Sequence, residues 1–280
     1  MRTTPFQCIQ QRCNSLIPLS LLKYLPRKWE KIGDILLLKL SEKLTPFEST
    51  IGGIYASALS CKSVLREIGG IDGVFRVPNI KHIWGASDTE TIHYEHGIRF
   101  RLDPAKVMFS SGNKDERKRM STIAASNETI VDMFAGIGYF SIPLAYHSKP
   151  QKIFACEINP ISYKFLTQNI VLNDVTDIVE PLLGDSAHIA PHDVADRVLM
   201  GYFGQTCSYL PLALSCLKRK GGIIHYHDIF PEKTIPFDVI RNVTKIIDTF
   251  GKKVTVQSYK KIKSYAPGIG HYVFDLKIEP

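Results

Sequence analysis

The chain has no long apolar run, no paired cysteines and no internal repeat. Nowhere in its 280 residues do apolar residues approach the roughly 18 in succession that a membrane-spanning helix needs. Its six cysteines, Cys8, Cys13, Cys61, Cys156, Cys207 and Cys216, are scattered without a C-x-x-C pair. That spacing argues against a zinc site or a disulfide framework, so reduced thiols, no bound metal and a cytoplasmic setting are expected. The opening MRTTPFQCIQQRC has an Arg but no apolar stretch behind it, so no secretory signal is expected. A composition of 44% hydrophobic and 22% charged residues excludes a disordered or collagenous chain. The length suits one large domain or two modest ones.

The charge is uneven. The net +8 resolves into +5 over residues 1–31, −1 over 32–100, +3 over 101–125, −3 over 126–230 and +4 over 231–280. A mildly acidic centre between basic flanks points to a polyanionic partner more strongly than a uniformly basic surface would.

Two regions differ in pattern. Residues 1–31 read as a basic lead-in whose short helix, SLLKYL, ends at Pro26. Residues 32–40 (IGDILLLKL) predict one buried strand and residues 48–60 (ESTIGGIYASALS) a helix. SVLREI and TETIHYEHGIRFRLD predict strands among loops containing Gly69, Gly70, Gly73 and Pro78, with a hairpin at His96-Gly97. This α+β region is expected to occupy 1–100. In 101–280, apolar runs alternate with helical periodicity. Strands are predicted at 129–134, 152–158, IVEPLLGD, 195–203 and GIIHYHDI. The helices between and after them include ISYKFLTQNIVLN, with Ile161, Phe165, Leu166 and Ile170 on one face, CSYLPLALSCLKRKGG and FDVIRNVTKIIDTFG. Such alternation implies a doubly wound, mostly parallel sheet, which KVTVQSYKKI and HYVFDLKI close as an antiparallel pair. The expected class is therefore α/β with a seven-stranded, class I methyltransferase-like sheet.

Polar signals gather where such sheets bind ligands, at the carboxyl ends of strands. Gly136 and Gly138 follow the first strand of the sheet, where glycines admit a ligand to the backbone but also serve tight turns. Glu157 ends the second strand and could accept hydrogen bonds from both hydroxyls of a ribose. Asp185, with Ser186, follows the third and could take an adenine amino group. Together they favour a nucleoside cofactor. A dinucleotide would want G-x-G-x-x-G, yet the third glycine position is Ser141. S-adenosyl-L-methionine carries a carboxylate in place of phosphates, and FSSGNKDERKRM (109–120) offers it Ser110 and Arg117. Taken in isolation, that segment reads better as a solvated basic helix capped by Asn113 with Glu116.

The strings MFSSGNKDERKRM, VDMFAGIGYFSIPLA and EINP-(8)-NIVLN, in this order, closely resemble the archaeal and eukaryotic enzymes that modify guanosine 37 of tRNA. The resemblance runs from about residue 25 to the carboxyl terminus. It implies the class I fold, S-adenosyl-L-methionine as co-substrate, and cofactor contacts at Ser110, Arg117, Gly136, Glu157, Asp185 and Ser186. The family has two branches. Guanine-37 N1 methyltransferases carry an Asn-Pro signature after the fourth strand that holds the target base; here Met200-Gly-Tyr-Phe203-Gly-Gln-Thr206 has neither residue. The accessory amino-terminal domain common in that branch is not expected in a chain of this length. Both departures, together with HYHDIFPEK and YAPGIGHYVFDL, resemble the archaeal wybutosine-synthesis branch. That branch implies transfer of a 3-amino-3-carboxypropyl group to C7 of 4-demethylwyosine in the anticodon loop of phenylalanine tRNA, releasing methylthioadenosine. N1 methylation is the alternative, and a non-catalytic RNA-binding protein a second. A monomer is expected, with tRNA contacts in the basic amino-terminal region. His225, His227 and Asp228 end the fifth strand near the site, and none is assigned as a base.

Overall fold

A computed structural model describes residues 3–280. The chain forms two compact units, the first ending at Ser111 and the second comprising Gly112–Pro280.

The first unit opens with a helix that hydropathy alone does not reveal, α1 (Pro5–Cys13). Thr4 caps it reciprocally with Gln7, and Pro5 supplies a first-turn residue that needs no N–H partner. SLLKYL forms a 3-10 turn, Leu19–Tyr24. Residues 32–40 are not one strand. They hold the last residue of β1 (Glu30–Ile32), a turn, and β2 (Ile35–Leu38), which pairs back on β1 as a hairpin. The reason is tertiary: Thr91 donates to Asp34 Oδ1 at 2.6 Å and pins the Gly33-Asp34 turn. The expected helix is α2 (Glu48–Leu59). Two glycines assigned to loops lie instead within β3 (Ser63–Asp72), where pairing with β4 (Val77–Gly85) shifts register between Glu67 and Ile71. Pro78 lies in β4 itself, tolerated because β4 is the edge of the β1-β2-β3-β4 sheet. The hairpin at His96-Gly97 pairs β5 (Thr91–Glu95) with β6 (Ile98–Leu102).

The second unit begins with α3 (Lys114–Met120). Then follow β7 (Thr129–Asp132), α4 (Ser141–His147), β8 (Lys152–Glu157), α5 (Pro160–Leu172), β9 (Val179–Leu183) and the single-turn α6 (Ser186–Ile189). After these come β10 (Arg197–Met200), α7 (Leu210–Cys216), β11 (Gly222–Pro231), α8 (Phe237–Asp248), β12 (Lys253–Ala266) and β13 (Ile269–Glu279). The seven strands lie in the order β12-β13-β11-β10-β7-β8-β9. Neighbours are parallel from β9 to β11, and β13 is antiparallel to both β11 and β12. The α/β class, the seven-stranded sheet and the antiparallel closing pair thus match the sequence reading.

Helix faces follow the expected periodicity with two exceptions. In α8, Val239, Val243 and Ile247 recur at i, i+4 and i+8 and are buried against the sheet. Burying each such side chain contributes about 1.5–3 kcal/mol. In α5 the apolar face keeps Phe165, Leu166 and Ile170 but leaves Ile161 exposed. Asn169 is buried there because its Nδ2 donates to the Ile137 carbonyl at 3.1 Å. The predicted helix CSYLPLALSCLKRKGG stops at Cys216, with Leu217 already extended. Lys218 and Lys220 instead pair with Asp196 at 2.5 and 3.0 Å. Burial opposes charge on Asp196, but these ammonium groups and the Thr129 N–H hold its carboxyl down to about 2. Among the described residues no helix is long and apolar enough to cross a membrane.

Candidate active site

Strand order reverses between β7 and β10, so the loops after these two strands face each other across a crevice at the carboxyl end of the sheet. Phe134, after β7, stacks on Tyr202, after β10, with centroids 5.0 Å apart. Tyr209 meets both rings edge-on.

The glycine loop is held from beneath. Asp132 is fully buried and accepts from Ser141 Oγ at 2.6 Å and from the Phe134 N–H at 3.3 Å. Ser141, which occupies the third position of the glycine pattern, therefore ties α4 to β7. Burial pushes the Asp132 carboxyl up to about 6 despite these bonds. Gly136 adopts φ +59, a conformation that costs a glycine little. Its N–H donates to Glu157 Oε2 at 2.7 Å, while Glu157 Oε1 accepts from the Asn159 N–H at 2.7 Å. Burial also raises the Glu157 carboxyl. A carboxylate oxygen has more than one acceptor site, so Glu157 can serve the loop and still receive hydroxyl donors.

Asp185 caps α6, accepting from the Ala187 N–H at 2.9 Å. Ser186 beside it is buried, and its Oγ has no partner among the described residues. A buried hydroxyl left unsatisfied calls for a group not supplied by the chain. Glu157, Asp185 and Ser186 follow adjacent strands and leave acceptor or donor capacity for a nucleoside. The residues present thus fit the adenosine part of S-adenosyl-L-methionine.

Segment 109–120 does not form the capped, solvated helix. Asn113 precedes α3 without a side-chain cap bond. Glu116, the supposed capping partner, is 1% exposed and accepts from Arg119 at 2.9 and 2.7 Å. Arg119 continues to Asp275 on β13 at 2.8 Å. Arg117, 2% exposed, is among the largest fully buried side chains. A basic helix that turns one Arg wholly inward is not a solvated face. Ser110 belongs to the first unit, next to its end.

His225, His227 and Asp228 do not end β11, because pairing with β13 carries that strand on to Pro231, and His225 and Asp228 differ in role. Asp228 accepts from the N–H groups of Gly204 (2.7 Å) and Thr206 (3.1 Å), so it braces the loop after β10. His225 donates through Nδ1 to Asp275 (2.6 Å) and accepts through Nε2 from Arg197 (2.7 Å), which also grips Glu128. Burial lowers the His225 imidazole, so it stays neutral with both nitrogens occupied. Neither residue is placed to take a proton from a substrate. Sequence reasoning missed Arg119, Asp275 and His271. Only the antiparallel β11–β13 register brings His225 opposite Asp275.

Known proteins resemble this chain along most of its length. The family model described as the TRM5/TYW2 methyltransferase domain matches residues 91–256, and that of the TYW2 N-terminal domain matches residues 9–89. A tRNA(Phe) (4-demethylwyosine(37)-C(7)) aminocarboxypropyltransferase of Pyrococcus horikoshii is 43% identical over 270 residues, 96% of each chain. The tRNA (guanine(37)-N(1))-methyltransferase Trm5b of Pyrococcus abyssi is 37% identical over 94% of this chain and 78% of its own. Among solved structures, P. horikoshii TYW2 in complex with MeSAdo superposes with a TM-score of 0.88 at 40% identity, covering 97% of this chain and 98% of that one. With both domain models matched in order and a curated relative aligned nearly end to end, the chain belongs to the TRM5/TYW2 family, in its TYW2 branch.

Proposed function

We propose that this protein transfers the 3-amino-3-carboxypropyl group of S-adenosyl-L-methionine to C7 of 4-demethylwyosine at position 37 of tRNA, releasing methylthioadenosine. The observation that carries it is the 43% identity to the P. horikoshii aminocarboxypropyltransferase over 96% of both chains. The loop after β10 supports it, since Gly201-Tyr202-Phe203 stands where the methyltransferase branch has Asn-Pro.

When bound, the co-substrate supplies a sulfonium that activates three carbons alike in kind and leaves as a thioether. The protein's part is to choose among those carbons by orientation, since near-attack geometry requires approach to about 3–3.5 Å. In this reading Glu157 accepts from the ribose hydroxyls, and Asp185 with Ser186 holds the adenine. Buried Arg117 forms a bidentate pair with the methionine carboxylate, which orients the γ-carbon. The carboxylate is the only anionic group the co-substrate offers, and its two oxygens match the planar guanidinium fork. Phe134, Tyr202 and Tyr209 exclude water from the crevice. These roles rest on the second unit alone.

The partner is the anticodon loop of phenylalanine tRNA, engaged by the basic amino-terminal region, and the protein works as a cytoplasmic monomer. The test uses cofactor labelled separately in the methyl and carboxyl carbons, with tRNA bearing either guanosine or 4-demethylwyosine at position 37. The expected result is carboxyl label on the tricyclic base alone. Methyl label on guanosine overturns the assignment in favour of the N1 methyltransferase reading, which the Trm5b relative represents.

A further inference from the structure

Attack by a ring carbon leaves a proton to be removed, and none of the roles above removes it. Two histidines remain unused. His227 on β11 and His271 on β13 are each 1% exposed, and His227 Nδ1 lies 3.2 Å from His271 Nε2. The outer nitrogen of each ring, His227 Nε2 and His271 Nδ1, is buried without a hydrogen-bond partner among the described residues. Buried polar atoms are seldom left unpaired, and two in one touching pair require an explanation.

Their position supplies one. His227 stacks on Phe140, at the end of the glycine loop, with centroids 5.3 Å apart. His271 meets Phe203, on the loop after β10, edge-on at 4.4 Å. The pair therefore adjoins the loops on both sides of the crevice. Phe203 is itself only half-buried, so rotation of its side chain, with the loop still held by Asp228, uncovers His271.

The tautomers follow from the neighbours. Glu116 Oε1 is 3.7 Å from His227 Nε2, and a carboxylate there favours an N–H on that nitrogen. His227 Nδ1 is then an acceptor, His271 must donate through Nε2, and His271 Nδ1 carries a bare lone pair. The other ionisable groups around the pair are His225, Arg119, Asp275 and Lys263.

We propose that Glu116, His227 and His271 form a proton relay in which His271 Nδ1 accepts the C7 proton during aminocarboxypropyl transfer. This rests on the function proposed above. The C7–Cγ bond forms as the Cγ–S bond breaks, and the sulfur keeps that electron pair. The C7–H electrons then return to the tricyclic ring, and the proton moves to His271 Nδ1. The Nε2 proton of His271 passes to His227 Nδ1, and the Nε2 proton of His227 passes to Glu116 once their 3.7 Å separation closes to hydrogen-bonding distance. Both rings end neutral. Burial, reinforced by Lys263, holds His271 down to about 3, and burial with the neighbouring histidines lowers His227 well below its usual range. So weak a base suffices, because a ring that has gained a bond at C7 is cationic and regains aromaticity by losing the proton. Burial raises the Glu116 carboxyl, which suits it to receive the last proton.

The experiment is single-turnover transfer to tRNA bearing 4-demethylwyosine with protium or deuterium at C7. Wild type should show little isotope effect. His271→Ala should be slower by about 10²–10⁴-fold, the range for a general base, with a primary isotope effect and partial rescue by added imidazole. His271→Gln, which keeps more of the side-chain volume, should show the same isotope effect. A readout independent of activity is the ¹⁵N spectrum of the cofactor-free protein, in which His271 Nδ1 should be unprotonated at neutral pH. A proton on that nitrogen, or variants that transfer at the wild-type rate or slow without isotope effect or rescue, overturns the relay. If wild type delivers methyl label, the function fails and the relay with it; carboxyl label delivered by undiminished variants sinks the relay alone.

Discussion

The Gly136 N–H and Glu157 Oε2 meet at 2.7 Å, joining the loop after β7 to the end of β8 across 21 residues of chain. The carboxylate proposed to hold the ribose therefore also fixes the glycine loop beside it.

Glu157→Gln should weaken S-adenosyl-L-methionine binding by about 1.5–3 kcal/mol, the range for a bond to a charged group. That is roughly 10- to 150-fold in dissociation constant. Glutamine retains one acceptor for the loop, so the fold should survive. Calorimetry on the cofactor-free protein measures it; an unchanged constant removes Glu157 from the ribose.

Asp132 gives a pH dependence of stability with a definite sign. Burial raises its carboxyl from 3.8 to about 6 in the folded state. Between those values the native protein holds a proton that the unfolded chain has released. Stability from this group is thus complete below pH 4 and declines as pH rises to about 6, by around 3 kcal/mol in all. Asp132→Asn lacks this titration, so its stability relative to wild type should improve by a similar amount between pH 4 and pH 7. Denaturant unfolding at both values checks it, and a constant difference refutes the buried-carboxylate account.

Arg117→Ala should not behave as a simple loss of affinity. Contacts through Glu157 and Asp185 survive, so binding should weaken by only about 1.5–3 kcal/mol. Without its anchor the chain to be transferred samples several poses, and the transfer step at saturating cofactor should fall about a hundredfold or more. Arg117→Lys should restore little, because a point charge cannot reproduce the planar fork. Undiminished transfer by Arg117→Ala would leave the function intact and end the role of Arg117.

Much of this protein is written along the chain. Alternation of apolar strands with helical periodicity prescribes the parallel sheet, because each pattern depends only on neighbours two, three or four residues apart. The glycine loop and the acid ending β8 are likewise legible, since in a doubly wound sheet the end of a strand is a defined place. What only the tertiary structure decided is which polar groups are satisfied, and by whom. The sequence 114–120 has the composition of a solvated basic helix, yet Glu116 and Arg119 turn inward because Asp275, 156 residues after Arg119, waits on β13. The Gly33-Asp34 turn needs Thr91, and the end of α7 needs Asp196. His227 and His271 have the look of ordinary packed strand residues until the antiparallel β11–β13 pairing sets their rings 5.4 Å apart. Burial and partnership belong to pairs of distant residues, and no local periodicity encodes them.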